Sequence, residues 1–113
     1  MGKRLLTEFG MGTSLRRQDY TEAAVRALKD ALWHNSINMA ELFGVEKGAM
    51  LITVEIGVQD PDAVDAEALK NVFPYGQPTI HVVRGGLDVP RADGGKPTVI
   101  ANAAISVALE GVA

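Results

Sequence analysis

Residues Leu51 to Val58 carry the pattern that most limits the fold. Ile52, Val54, Ile56 and Val58 alternate with Thr53, Glu55 and Gly57. A period of two puts the first set on one face of a strand and the second on the other. One face therefore belongs to a core, and the other carries a carboxylate. Such a strand needs neighbours at its edges and an apolar layer over one side.

Other segments supply them. Lys3 to Phe9 reads as a strand with Leu5, Thr7 and Phe9 on one face and Arg4, Leu6 and Glu8 on the other. Gly10 and Gly12 are then expected to turn the chain. Asp19 is an N-cap with Glu22 at the capping-box position, so a helix is predicted from Tyr20 to His34. Its apolar stripe is Ala24, Ala27, Leu28, Ala31 and Leu32, with Glu22, Arg26 and Asp30 at i,i+4 steps opposite. Trp33 projects near the charged side and is expected to meet another chain or the following segment.

Asn38 to Phe43 suggests a helical turn ended by Gly44. Asp60-Pro61-Asp62 opens a second helix, predicted over Val64 to Phe73 and stopped by Pro74. Thr79 to Arg84 reads as a strand, Asp88 to Pro97 as a loop or hairpin connection. Thr98 to Leu109 reads as a strand from its β-branched residues, with a helix as the competing assignment because it is alanine-rich. The sum is one α+β domain over 1–113: a four-stranded sheet in the order β-α-β-α-β-β, with two helices on one face. The bare face would carry Glu55, His81, Asn102, alanines and glycines. That mixture predicts self-association through the sheet face.

Composition removes several functions. The chain has 113 residues and no cysteine, so disulfides, thiolate metal sites and cysteine nucleophiles are absent. The net charge of -3 gives no reason to expect nucleic acid or an anionic membrane as partner. No apolar run is long enough for a membrane span, and no signal peptide is evident, so a cytoplasmic location is expected. Two histidines and scattered carboxylates offer no metal-ligand spacing, and no cofactor is expected.

Four clusters remain as candidate chemistry. Gly10 and Gly12, with Arg16 and Arg17 ahead of the capped helix, could hold a carboxylate or phosphate, or form a plain connecting loop. Leu15 stands where a dinucleotide fingerprint needs a third glycine, so a nucleotide fold is not expected. His81 and Arg84 precede Gly85 and Gly86, a strand end whose amides could meet a ligand, or a simple turn. His34 closes the first helix, as a dipole partner or an acid–base group. Glu8 and Glu55 could share a site, or pair separately with Arg4, Arg84 or another chain. Glu8, His34 and His81 are thus the candidate proton-handling groups.

The stretches E-F-G-M-G (Glu8 to Gly12), D-Y-T-E-A-A-V-R-A (Asp19 to Ala27), H-N-S (His34 to Ser36), V-F-P-Y-G (Val72 to Gly76), R-G-G-L-D-V-P (Arg84 to Pro90) and I-A-N-A-A-I (Ile100 to Ile105) resemble a family of short bacterial proteins along nearly the whole chain. That family brings no activity with it. The element order is also similar to the trimeric α+β class of chorismate mutase. It further resembles one repeat of the ring-opening amidohydrolases acting on cyanuric acid or barbiturate. Those likenesses imply a homotrimer, sheets inside and helices outside, with ligand sites between subunits. The amidohydrolases place serine before their Gly-Gly turn, whereas this chain has Arg84, so their reaction does not transfer. The expected function is binding of a small anionic or cyclic amide-like metabolite at subunit boundaries, with or without catalysis. The alternative is a non-catalytic oligomeric scaffold or regulatory subunit.

Overall fold

The computed structural model describes residues 3–33, 50–73 and 77–109. His34, the turn expected over Asn38 to Phe43, the end of the second predicted helix at Pro74 and the tail from Glu110 lie outside the described residues. β1 (Lys3–Ser14) leads to α1 (Tyr20–Trp33), and β2 (Met50–Val58) follows. A 3-10 turn (Pro61–Ala63) and a short helix, α2 (Ala66–Lys70), then cross to β3 (Gln77–Arg84). β4 (Leu87–Val89) and β5 (Thr98–Leu109) complete the sheet.

β5 is the centre of the sheet. β1 pairs antiparallel along one side of it, β2 pairs antiparallel along the other, and β3 lies parallel outside β2. The 98–109 segment is therefore a strand. The sheet has five strands rather than the expected four. β2 ends its pairing at Gly57↔Asn102, which leaves Thr98 to Ile100 bare on that side of β5. β4 fills the gap through Leu87↔Ile100, Asp88↔Val99 and Val89↔Thr98. Gly86 makes the return possible: its φ is +62°, and a Cβ there would lie 2.1 Å from the Ile100 carbonyl oxygen.

α1 covers one face of the sheet. Ala23, Ala24, Ala27, Leu28 and Ala31 pack against Ile52, Val54, Ile56 and Val58 of β2 and Val99, Ala101, Ala103 and Ile105 of β5, all buried. Each larger aliphatic side chain contributes about 1.5–3 kcal/mol by leaving water. The helix also lies directly on β1. A Cβ at Gly10 would stand 2.3 Å from the Ala27 carbonyl oxygen, and one at Gly12 would stand 2.2 Å from the Ala27 amide nitrogen. The expected turn at these glycines does not occur. They sit inside β1, which runs on to Ser14, because only a bare backbone fits beneath an alanine-faced helix.

The second helix is shorter than expected. Val64 is extended (φ −91°, ψ 130°), which separates the 3-10 turn from α2. Asp65 then caps α2 by accepting from the Glu67 amide (3.0 Å), and Leu69 is its buried anchor. Thr21 of α1 ties this crossover down. Its hydroxyl accepts from the Asp65 amide (2.9 Å) and donates to the Ala63 carbonyl (3.3 Å).

Candidate functional site

The face away from α1 has no covering layer among the described residues. The register sets its side chains in rows across the strands. One row is Thr7, Ser106, Thr53 and Thr79, the first two linked hydroxyl to hydroxyl at 3.3 Å. The next is Phe9, Ala104, Glu55 and His81, followed by Met11, Asn102, Gly57 and Val83. Phe9 is 70% exposed, Met11 55%, Val83 47% and Leu87 59%. A solvated sheet face is ordinarily polar, so large apolar groups at this exposure mark a contact surface.

A depression of about 240 Å³ opens in this face, lined by Phe9, Glu55, Gly57, Val83, Arg84, Gly85, Gly86 and residues 102–104. Gly57 and Ala104 form a low floor between the taller Phe9 and Val83. Glu55 and Asn102 supply a carboxylate and an amide, while Arg84, in register with buried Val58, alternates to the α1 side and borders the depression at the end of β3. Neither Glu55 nor Arg84 makes a hydrogen bond or ion pair with any described residue. The volume suits a small metabolite or the side chain of a partner.

The glycines at this site serve the backbone. The Gly85 amide donates to the Val58 carbonyl at 2.9 Å. Gln59 Nε2 donates to the carbonyls of Gly85 (3.1 Å) and Gly86 (3.2 Å). A Cβ on Gly85 would stand 3.1 Å from the Gly57 Cα. The Gly85 amide, expected to face a ligand, is thus already committed to β2. No local sequence pattern marks Gln59, whose side chain bonds a carbonyl 26 residues away.

The other candidates separate. His81 is exposed beside Glu55 on the open face. Glu8 lies opposite buried Ile105, whereas Glu55 lies opposite Ala104. Successive residues of β5 point to opposite faces, so the two glutamates are on different sides of the sheet and do not form a pair. Gly10 and Gly12 are covered by α1.

Arg16 and Arg17 line a separate depression of about 240 Å³ with Leu15, Glu22 and Arg26. The helix start beside it is already satisfied. The Glu22 amide donates to Asp19 Oδ1 (2.9 Å) and the Ala23 amide to the Asp19 carbonyl (3.1 Å). Asp19 is held in turn by its own amide donating to buried Ser14 Oγ (3.2 Å). The Glu22 carboxylate does not return the capping-box bond; it pairs with Arg26 at 3.2 Å.

A further polar cluster had no local signal. Tyr20, buried at the start of α1, donates its hydroxyl to Asp88 Oδ2 of β4 and accepts from Gln18 Nε2 at 3.3 Å. Burial and the Asp88 carboxylate both push the phenol above its ordinary pKa. Asp88 Oδ1 is buried without a hydrogen-bond partner. No group of three or more metal-ligating side chains occurs among the described residues, and none of their helices is long and apolar enough to cross a membrane.

The family model of a conserved hypothetical protein family, Lin0512, matches residues 4–107. The chain belongs to the Lin0512 family. The match includes β1 from Arg4, α1 and most of β5, so the helix-on-glycine contact and the open face both fall inside the Lin0512 region. No curated protein matches the chain. Among solved structures, it is similar to an FtsZ-like protein of unknown function from Nostoc punctiforme PCC 73102. The two share 32% identity over 97% of this chain and 98% of that one, with a TM-score of 0.85.

Proposed function

We propose that this Lin0512 protein is a self-associating module whose open sheet faces meet, enclosing a small-molecule site at the Arg84 depression. The observation that supports it is the exposed patch of Phe9, Met11, Val83 and Leu87 around Glu55, which has no partner among the described residues. A second copy of the chain suits this face because a two-fold contact sets the same exposed apolar patch against itself. Four strands at about 4.8 Å spacing and eight residues at about 3.3 Å make a face of roughly 500 Å² in projection. A standard interface buries ~800 Å² per partner, so this face supplies the larger part of one. A trimer is the assembly implied by the fold resemblance. The ligand class is a small anionic or cyclic amide-like metabolite, with His81 or Glu55 for proton transfer and Arg84, at the end of β3, as the cation bordering the depression.

The scaffold reading is favoured by one observation: the Gly85 amide and the Gly85 and Gly86 carbonyls are all engaged within the fold. Light scattering on the purified chain tests assembly. A concentration-dependent oligomer that Phe9→Lys converts to a folded monomer supports the reading, and a clean wild-type monomer at micromolar concentration sinks it. A thermal-shift screen with dicarboxylates and cyclic amides, repeated on Arg84→Gln, separates the two functions. Stabilisation lost in Arg84→Gln supports the ligand site, and an intact oligomer without any binder supports the scaffold.

A further inference from the structure

We propose a second, independent anion site in the depression formed by Arg16, Arg17 and Arg26, selective for a doubly charged phosphoryl group on a small molecule. The site lies apart from the Arg84 depression and shares no lining residue with it. Its cavity of about 240 Å³ is lined by Arg16, Arg17 and Arg26 with Glu22 and Leu15, in a chain whose net charge is -3. Local positive charge against the overall balance makes an electrostatic site rather than a general basic surface.

The donor inventory favours phosphate. Arg26 bonds the Thr13 carbonyl (2.8 Å) and Glu22 (3.2 Å) through Nη1 in both cases. Its Nη2 and Nε keep three N–H donors in a fixed plane. Arg16 and Arg17 are exposed and make no hydrogen bond or ion pair with any described residue. Arg26 is held in place by its bond to β1, so one guanidinium is pre-positioned and two can close on the ligand. Planar guanidinium groups match phosphate oxygens in pairs. The Asp19 carboxylate occupies the Glu22 amide, so the guanidinium groups alone supply the attraction. Glu22 lines the same cavity and opposes an anion. Three cations against one carboxylate favour a dianion over a monoanion.

The test is titration of the ¹⁵N-labelled protein with inorganic phosphate and pyrophosphate at constant ionic strength, paired with calorimetry. The expected result is saturable shifts confined to residues 15–22 and Arg26. Arg16→Gln/Arg17→Gln should weaken binding about tenfold or more, and Glu22→Gln should strengthen it several-fold. Arg84→Gln should leave it unchanged, so failure here is distinguishable from failure at the open face. Shifts that do not saturate by about 10 mM, that chloride reproduces, or that survive the double substitution overturn the proposal.

Discussion

The Met11 amide of β1 donates to Asp30 Oδ2 of α1 at 2.9 Å. β1 is an edge strand, so this amide would otherwise face outward. Two residues on, the Thr13 carbonyl is closed by Arg26. The groove beside them, about 520 Å³ and lined by Met11, Gly12, Thr13, Arg26, Lys29 and Asp30, is where an incoming strand would lie. Charged side chains from the helix block that edge.

Asp30→Ala should therefore do two things. Stability should fall by about 1–2 kcal/mol, since a hydrogen bond to a charged group contributes about 1.5–3 kcal/mol and exposure to water weakens this one. The freed edge should also raise the rate of β-rich aggregation, read by light scattering after prolonged incubation. An unchanged aggregation rate would refute the blocking role.

Gly12→Ala and Gly94→Ala should differ sharply. At Gly12 a methyl group would collide with the α1 backbone at 2.2 Å, which must lift the helix and should cost about 3 kcal/mol. At Gly94 nothing lies within 4 Å, and only the φ of +78° opposes the change. That penalty is about 1–2 kcal/mol. Urea denaturation of both variants measures the contrast.

Tyr20 gives the fold an alkaline limit. Burial and the Asp88 carboxylate raise its folded pKa above the ordinary tyrosine value of 10.0. The folded state thus holds the proton more tightly than the unfolded one. The stabilisation is fully present below the unfolded pKa and is lost as pH rises through the folded value. Tyr20→Phe should flatten the stability profile above about pH 10. At neutral pH it should cost about 1–3 kcal/mol, since Asp88 loses its donor. Thermal melts between neutral and strongly alkaline pH read both effects.

Asp19→Ala should destabilise α1 by about 1 kcal/mol, because the Glu22 amide loses its acceptor, while Asp19→Asn should be nearly neutral. Helical circular dichroism during urea unfolding separates them.

Much of this was legible locally. The alternation of Ile52 to Val58 and of Val99 to Ile105, the alanine stripe of α1 and the Asp19 cap all depend on neighbours a few residues apart. Apolar residues at Val72 and Phe73 continue the helical pattern beyond α2, while the extended Val64 and the Asp65 cap confine the helix to Ala66–Lys70. Residue type marks Arg16, Arg17, Arg84, Gly85 and Gly86, which line the two depressions, but it does not show which side chains from other elements join them. Arg16 and Arg17 went with Arg26, and Arg84 went with Glu55 and Asn102.

Periodicity and capping depend on backbone geometry within one element, so the sequence alone determined a sheet with one apolar face, an alanine-faced helix and a mixed face left bare. Only the tertiary structure decided what Gly10 and Gly12 do. In isolation a glycine permits a turn as readily as a strand, and the choice here was made by α1 lying against β1, where any side chain would overlap the helix backbone. The same holds for β4 and for the Tyr20–Asp88 bond, which join residues far apart in the chain. Pairings of that range arise from excluded volume and shared burial, which no local pattern encodes.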